Sequence, residues 1–187
     1  MKRKILNVGC GKETYGTDFM DIYPSREEVT KCDFQREKIP FKNNTFDEVY
    51  GRSVLEHLRN PGKFLEECKR VLRNGGKLII ITDNAAYYRF HLKFFKNDIG
   101  VHYERYGEKG ELIRTRSGPK DKHYFLFTTL HLRNLFLDSG FKIKELKYLN
   151  DSYLDAEKAP KKPLDFLFSL VDKRIVYRFI KIVGEKG

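Results

Sequence analysis

The residues best suited to chemistry sit early in the chain: Gly9, Cys10 and Gly11 at the end of the run ILNVGCG, Asp21 in FMDIYP, and Asp33-Phe34 in CDF. A glycine turn directly after an apolar run points to a nucleotide, because only glycine lets the backbone approach a ligand so closely. Three chemistries use such a turn. A P-loop needs a glycine five residues before Gly11-Lys12, where Leu6 stands, and Glu13 replaces its magnesium-binding Ser or Thr. A dinucleotide fingerprint needs glycine where Thr14 stands, and the stretch from Gly11 to Asp21 is too short for a full helix and a strand.

The third chemistry carries no phosphate: S-adenosylmethionine, with a positive sulfonium and ammonium, a carboxylate, a ribose diol and a flat adenine. It needs close backbone at the methionine, a carboxylate at the ribose and an acceptor at the adenine amine. Gly9 and Gly11 supply the first and Asp21 the second; Asp33 supplies the third, with Phe34 able to stack. Each residue also has a plainer role to fill. The glycines can make a tight turn, Asp21 can end a strand before Pro24, and Asp33 can form an Asp-turn or cap.

The elements that must position these residues read as alternating strands and helices. Lys4 to Val8, Thr17 to Asp21, Glu28 to Cys32 and Phe46 to Tyr50 are four candidate strands, the last entered through an Asn43-Asn44 turn. Asn60 and Pro61 then open a helix whose Phe64, Leu65, Cys68, Val71 and Leu72 share one face. Gly75-Gly76 is expected to stop it, with Lys77 to Thr82 as a buried fifth strand. A second unit follows: a helix capped at Thr128 or Thr129, carrying Leu132, Leu135 and Phe136 and ended by Gly140, then a strand over Phe141 to Leu149. This order implies an α/β sheet, mostly parallel, with right-handed crossovers. Ala85 to Lys96 reads as an amphipathic helix. The tail from Pro163 to Val183 reads as a helix, or a helix and a strand, packed on the core; a dimer contact and a surface-lying helix are its alternatives.

The pieces ILNVGCG, FMDIYP, CDF, IPFKNNTFDEVYGRSVLEHL and FLEECKRVLRNGGKLIIIT, with the later HYFLFTTLHLRNLFLDSGF, resemble in order and spacing the class I S-adenosylmethionine-dependent methyltransferases. The resemblance implies a three-layer Rossmann-like α/β fold, with a mostly parallel central sheet and helices on both faces, in a single domain over 1–187. An acceptor-binding insert would lie at about 84–124 and a basic apolar tail at about 163–183. It further implies that Gly9 and Gly11 line the methionine end, Asp21 holds the ribose hydroxyls, and Asp33 and Phe34 face the adenine. Arg52 and Ser53 would meet the methionyl part and the methyl group. Asn7 stands where the family usually carries an acidic residue; its amide oxygen can still accept a hydrogen bond from the ammonium. The helix between the first two strands is lost or cut to one turn, which leaves the cleft more open. His57, and similarly His123, fall near the acceptor, where a histidine could take a proton; packing or capping is the plainer role.

The 187-residue chain is 40% hydrophobic and 34% charged, within the range of a globular protein. The longest apolar run, Leu78 to Ile81, falls far short of the roughly 20 residues of a membrane span. The start is interrupted at Asn7 and Gly9 too soon for a signal-peptide core, so a cytoplasmic location is expected. Cys10, Cys32 and Cys68 are widely spaced and form no ligand motif, so buried free thiols are expected, with neither disulfide nor metal. A net charge of +11 favours anionic partners. A small-molecule or sugar-containing acceptor is expected, because one compact domain with one insert leaves little room for a macromolecule-binding module. RNA is the rival acceptor, and a non-catalytic S-adenosylmethionine-binding protein the rival class.

Overall fold

The computed structural model describes residues 3–92, 105–106, 112–113, 123–150 and 163–187. Its first strand, β1 (Ile5–Val8), pairs in parallel with β2 (Asp18–Asp21) on one side and β4 (Phe46–Arg52) on the other. β3 (Val29–Lys31) adds beyond β2, and β5 (Leu72–Asp83) beyond β4, again in parallel. The seven-stranded order is β3-β2-β1-β4-β5-β9-β8, with β8 (Phe141–Leu149) and β9 (Phe179–Lys186) as an antiparallel edge. The chain therefore runs outward from β1 to β3 and restarts at β4 on the other side of β1. That reversal makes a crevice at the carboxyl ends of β1 and β4, the place where open α/β sheets bind ligands.

Burial follows the sheet type. Leu6 and Val8 share one face of β1 and are fully buried, and Asn7 on its opposite face is buried too; Leu78 and Ile80 likewise fill one face of β5. Helix α1 (Pro61–Val71) begins where the sequence says: the Asn60 side chain accepts the Lys63 amide at 3.1 Å and Pro61 needs no donor. It buries Phe64, Leu65, Cys68 and Val71, each such side chain contributing roughly 1.5–3 kcal/mol of transfer free energy. The expected stop at Gly75-Gly76 is a correction. The helix ends at Val71, and Leu72 already pairs with Phe46. The pairing then resumes at Glu48 with Lys77, so the glycines lie in an irregular bulge within β5, where Gly75 takes φ +73°.

The short α2 (Tyr88–Leu92) falls within the expected amphipathic stretch; Ala85 and Ala86 form a turn before it, and 93–96 lie outside the described residues. Of the segment at 84–124, the two-residue strands β6 (Arg105–Tyr106) and β7 (Leu112–Ile113) pair antiparallel. Helix α3 (Thr129–Asp138) is capped by the Thr128 hydroxyl on the His131 amide and buries Leu132 and Phe136. Gly184 on β9 makes room for Phe136: a Cβ there would stand 2.7 Å from the ring.

The tail is both a helix and a strand. α4 (Pro163–Val171) buries none of its residues, and Leu164, Phe166, Leu167, Leu170 and Val171 are exposed. It is held through Asp165, which bonds Tyr88 and Arg89, and by Phe168 stacked on Tyr88. Among the described residues no helix is long and apolar enough to cross a membrane. The three cysteines are buried and free.

Candidate functional site

β1 delivers Gly9 and Gly11 to the crevice in a left-handed conformation, φ +65° and +52°. The turn is tied to the next strand: the Gly9 and Cys10 amides donate to the Met20 carbonyl at 2.8 and 3.1 Å. Gly9 must be glycine for a second reason, since a Cβ would stand 2.9 Å from a Val54 methyl. No helix lies between β1 and β2; the connection is a turn and loop, as expected.

At the end of β2, Asp21 accepts the Gly11 amide and the Tyr23 amide, one on each oxygen, both at 2.8 Å. A carboxylate has about four acceptor sites, so capacity for a ribose hydroxyl remains. Asp33, beyond β3, makes the Asp-turn foreseen as its plainer role, accepting the Gln35 amide at 3.0 Å. Phe34 packs edge-on against Phe64. At the end of β4, Ser53 has φ +49°, unusual for a residue with a side chain, and its amide donates to the Ile81 carbonyl. Strain of this kind gathers at ligand sites.

Two cavities share Gly9 and Ser53. One, of about 570 Å³, is lined by Asp21, Asp33, Phe34, His57 and Tyr124. The other, of about 720 Å³, is lined by Gly11, Glu13, Tyr15, Arg52 and Lys181. Both fall within the ~300–1,000 Å³ of small-molecule sites. The structure thus gathers Gly9, Gly11, Asp21, Asp33, Phe34, Arg52, Ser53 and His57 along one groove.

Asn7 is not in the groove wall. It lies beneath the glycine turn, 1% exposed, its Nδ2 donating to the Tyr15 carbonyl at 2.9 Å and reaching Glu13 at 3.4 Å. Its Oδ1 is buried with no hydrogen-bond partner. A negative charge does line the groove nearby: that of Glu13, whose carboxylate is ion-paired with Arg52. Sequence reasoning missed Glu13; its only trace was that it stands just after the glycine turn.

His57 ends a single helical turn, Leu55–His57, that follows β4. His123 is not among the groove residues, but its ring packs edge-on against His57 with centroids 4.3 Å apart. Glu56, 1% exposed, completes the group: Thr82 donates to its Oε2 at 2.8 Å, while Oε1 has no hydrogen-bond partner. Burial pushes the Glu56 carboxyl up to about 7. Metal-ligand spacing is absent from the sequence, yet the structure brings ligand atoms of Glu56, His57 and His123 within 4.8 Å of one another. Only the fold could reveal that, since His123 is remote in the chain.

A switch-point crevice with a glycine turn, a carboxylate ending the second strand and no helix between β1 and β2 defines a Rossmann-like α/β protein. Residues 6–80 match the methyltransferase-domain family. Over that stretch the chain is similar to S-adenosylmethionine-dependent methyltransferases. It is 36% identical over 94 residues to an uncharacterised protein of Methanocaldococcus jannaschii, covering 43% of this chain and 40% of that protein. It is 31% identical over 103 residues to a probable S-adenosylmethionine-dependent methyltransferase of Mycobacterium tuberculosis, covering 44% of this chain and 36% of that one. The chain thus spans well under half the length of these relatives. Among solved structures, a S-adenosylmethionine-dependent methyltransferase from Archaeoglobus fulgidus superposes with a TM-score of 0.62 at 16% identity, covering 98% of this chain and 86% of that one. That likeness shows the fold.

Proposed function

We propose that the chain binds S-adenosylmethionine along this groove and transfers its methyl group to a small-molecule or sugar-containing acceptor. One observation carries the reading: Asp21 and the Glu13–Arg52 ion pair line the two cavities that meet at Gly9 and Ser53. A zwitterionic amino-acid end offers a partner to each member of that pair, its carboxylate to Arg52 and its ammonium to Glu13. Asp21 would hold the ribose hydroxyls, and Asp33 and Phe34 would face the adenine. When bound, the cofactor supplies a methyl group already activated by positive sulfur, so the protein's work is chiefly orientation and exclusion of water. His57, on the wall of the smaller cavity, would meet the acceptor, with His123 packed against its ring. The segment at 84–124 would bind the acceptor.

Calorimetric titration with S-adenosylhomocysteine, beside NADH and an Asp21→Ala variant, tests the reading. Binding of the first ligand alone is expected, weakened about tenfold or more in the variant, since a charged hydrogen bond contributes ~1.5–3 kcal/mol. Binding of neither ligand by folded protein would sink it. The +11 charge supports RNA as a second acceptor class. An RNA complex would weaken steeply between low and moderate salt, whereas turnover of a neutral small acceptor would not.

A further inference from the structure

Behind the groove wall, reached through His57, stands a group that methyl transfer by orientation alone does not use. Glu56 and His57 lie on the turn after β4, and His123 enters from the segment before α3. Their juncture is fixed by backbone: the Tyr124 and Phe125 amides donate to the Glu56 carbonyl at 2.8 and 3.3 Å, and this draws His123 against His57. Glu56 is anchored through Oε2 by Thr82, while Oε1 is buried with no hydrogen-bond partner. A buried carboxylate oxygen without a partner is costly unless something satisfies it.

We propose that Glu56, His57 and His123 form a divalent-metal site, of two imidazoles and one carboxylate, beside the methyl-acceptor end of the groove. The donor set selects the metal. Two nitrogens and one oxygen suit a borderline transition ion such as zinc or cobalt, whereas magnesium and calcium take oxygen ligands. Candidate ligand atoms within 4.8 Å of one another are near enough to converge on one ion with small side-chain adjustments. Three protein ligands leave at least one position open, the pattern of catalytic rather than structural sites. His57 lines the smaller cavity, so a ligand in the groove would reach the ion on the His57 side.

The site names the acceptor class. This inference rests on the methyltransferase reading and sharpens it: the acceptor carries a hydroxyl that binds the ion. A metal-bound hydroxyl has a much lowered pKa, so its proton passes to solvent and the oxygen is held as an anion. His57 and His123 then act as ligands and not as the proton acceptor.

Cobalt(II) is the probe. The full chain is stripped with a chelator, dialysed and titrated with cobalt(II), followed by visible absorption and calorimetry, with S-adenosylhomocysteine binding measured in parallel. One equivalent is expected, with ligand-field bands of a nitrogen–oxygen site and a raised thermal midpoint. His123→Ala and His57→Ala should each lower cobalt affinity by about a hundredfold or more, above the ~10–100-fold typical of outer-shell changes. S-adenosylhomocysteine binding should survive in His123→Ala, which reports its fold. Absence of cobalt binding in wild type that binds S-adenosylhomocysteine overturns the proposal and leaves a proton-handling group. Unchanged cobalt affinity in both histidine variants overturns it too. Cobalt binding lost in the variants, without S-adenosylhomocysteine binding in any form, supports the metal site and removes the methyl-donor reading instead.

Discussion

The two halves of the sheet are built on different terms. From β3 to β1 the strands are three or four residues long, and no helix lies in the links from β1 to β2, β2 to β3 or β3 to β4. From β5 to β8 the strands are eight to twelve residues long and are covered by α1 and α3. The first half is held by polar ties: Asp21 on the Gly11 amide, Ser25 on the Gly11 carbonyl, Arg26 on the Glu13 carbonyl. The second is held by rings and aliphatic chains, with Leu132 and Phe136 fully buried. The candidate groove belongs mostly to the first half. Sites that must admit and release a ligand are drawn from the less stable parts of a structure, and the long strands supply the rigidity the short ones lack.

The contrast can be broken from either side. Phe136→Ala should lower unfolding free energy by about 3–5 kcal/mol, the range for emptying a buried aromatic site. Urea denaturation measures it, and S-adenosylhomocysteine affinity of the folded fraction should be unchanged. A collapse of affinity without loss of stability would erase the division.

Glu56 sits at the seam, and its effect depends on pH. With its folded pKa raised to about 7 from an unfolded 4.5, the carboxyl is preferentially protonated in the native chain. Stability therefore falls as pH rises from about 4.5 to 7 and stays low above. The loss amounts to about 3 kcal/mol by linkage. In chelator-treated protein, Glu56→Gln should flatten this slope, so that the variant gains on wild type between pH 5 and pH 8. Parallel pH profiles in thermal denaturation would show that burial does not set the behaviour of this group.

Gly9→Ala and Gly11→Ala sharpen the comparison within the first half. Both add strain at positive φ, but only at Gly9 does the new methyl meet Val54. A loss of about 2 kcal/mol is expected at Gly9 and about 1 at Gly11. Calorimetry should show S-adenosylhomocysteine affinity falling further at Gly9. Thr128→Ala, removing the α3 cap, should cost about 1 kcal/mol in denaturation and leave ligand affinity alone.

Much of this was legible in the residues. Each of the first four strands, the cap of α1 and the strand Phe141–Leu149 falls where spacing and turn residues put it, because each is specified locally. Gly75-Gly76 misled because two glycines end a helix and permit a bulge equally well, and only the pairing of Leu72 with Phe46 decides. The apolar residues of α4 carry no mark that they face outward. In the groove, Gly9, Gly11 and Asp21 could be read from spacing along one strand-turn-strand unit. Glu13, Glu56 and the contact of His57 with His123 could not, since their meaning comes from partners brought by the fold: Arg52, Thr82 and the segment before α3.

β9 follows β5 and β8 in the chain yet lies between them in the sheet. During synthesis at roughly 5–20 residues per second, the ribosome releases β5 some hundred residues before β9, so for several seconds the facing edges of β5 and β8 have no mate. Unmated edges invite pairing with other nascent chains. A translational pause after β8 would prolong that interval, and the cell's folding helpers would meet this chain as an open sheet awaiting its keystone.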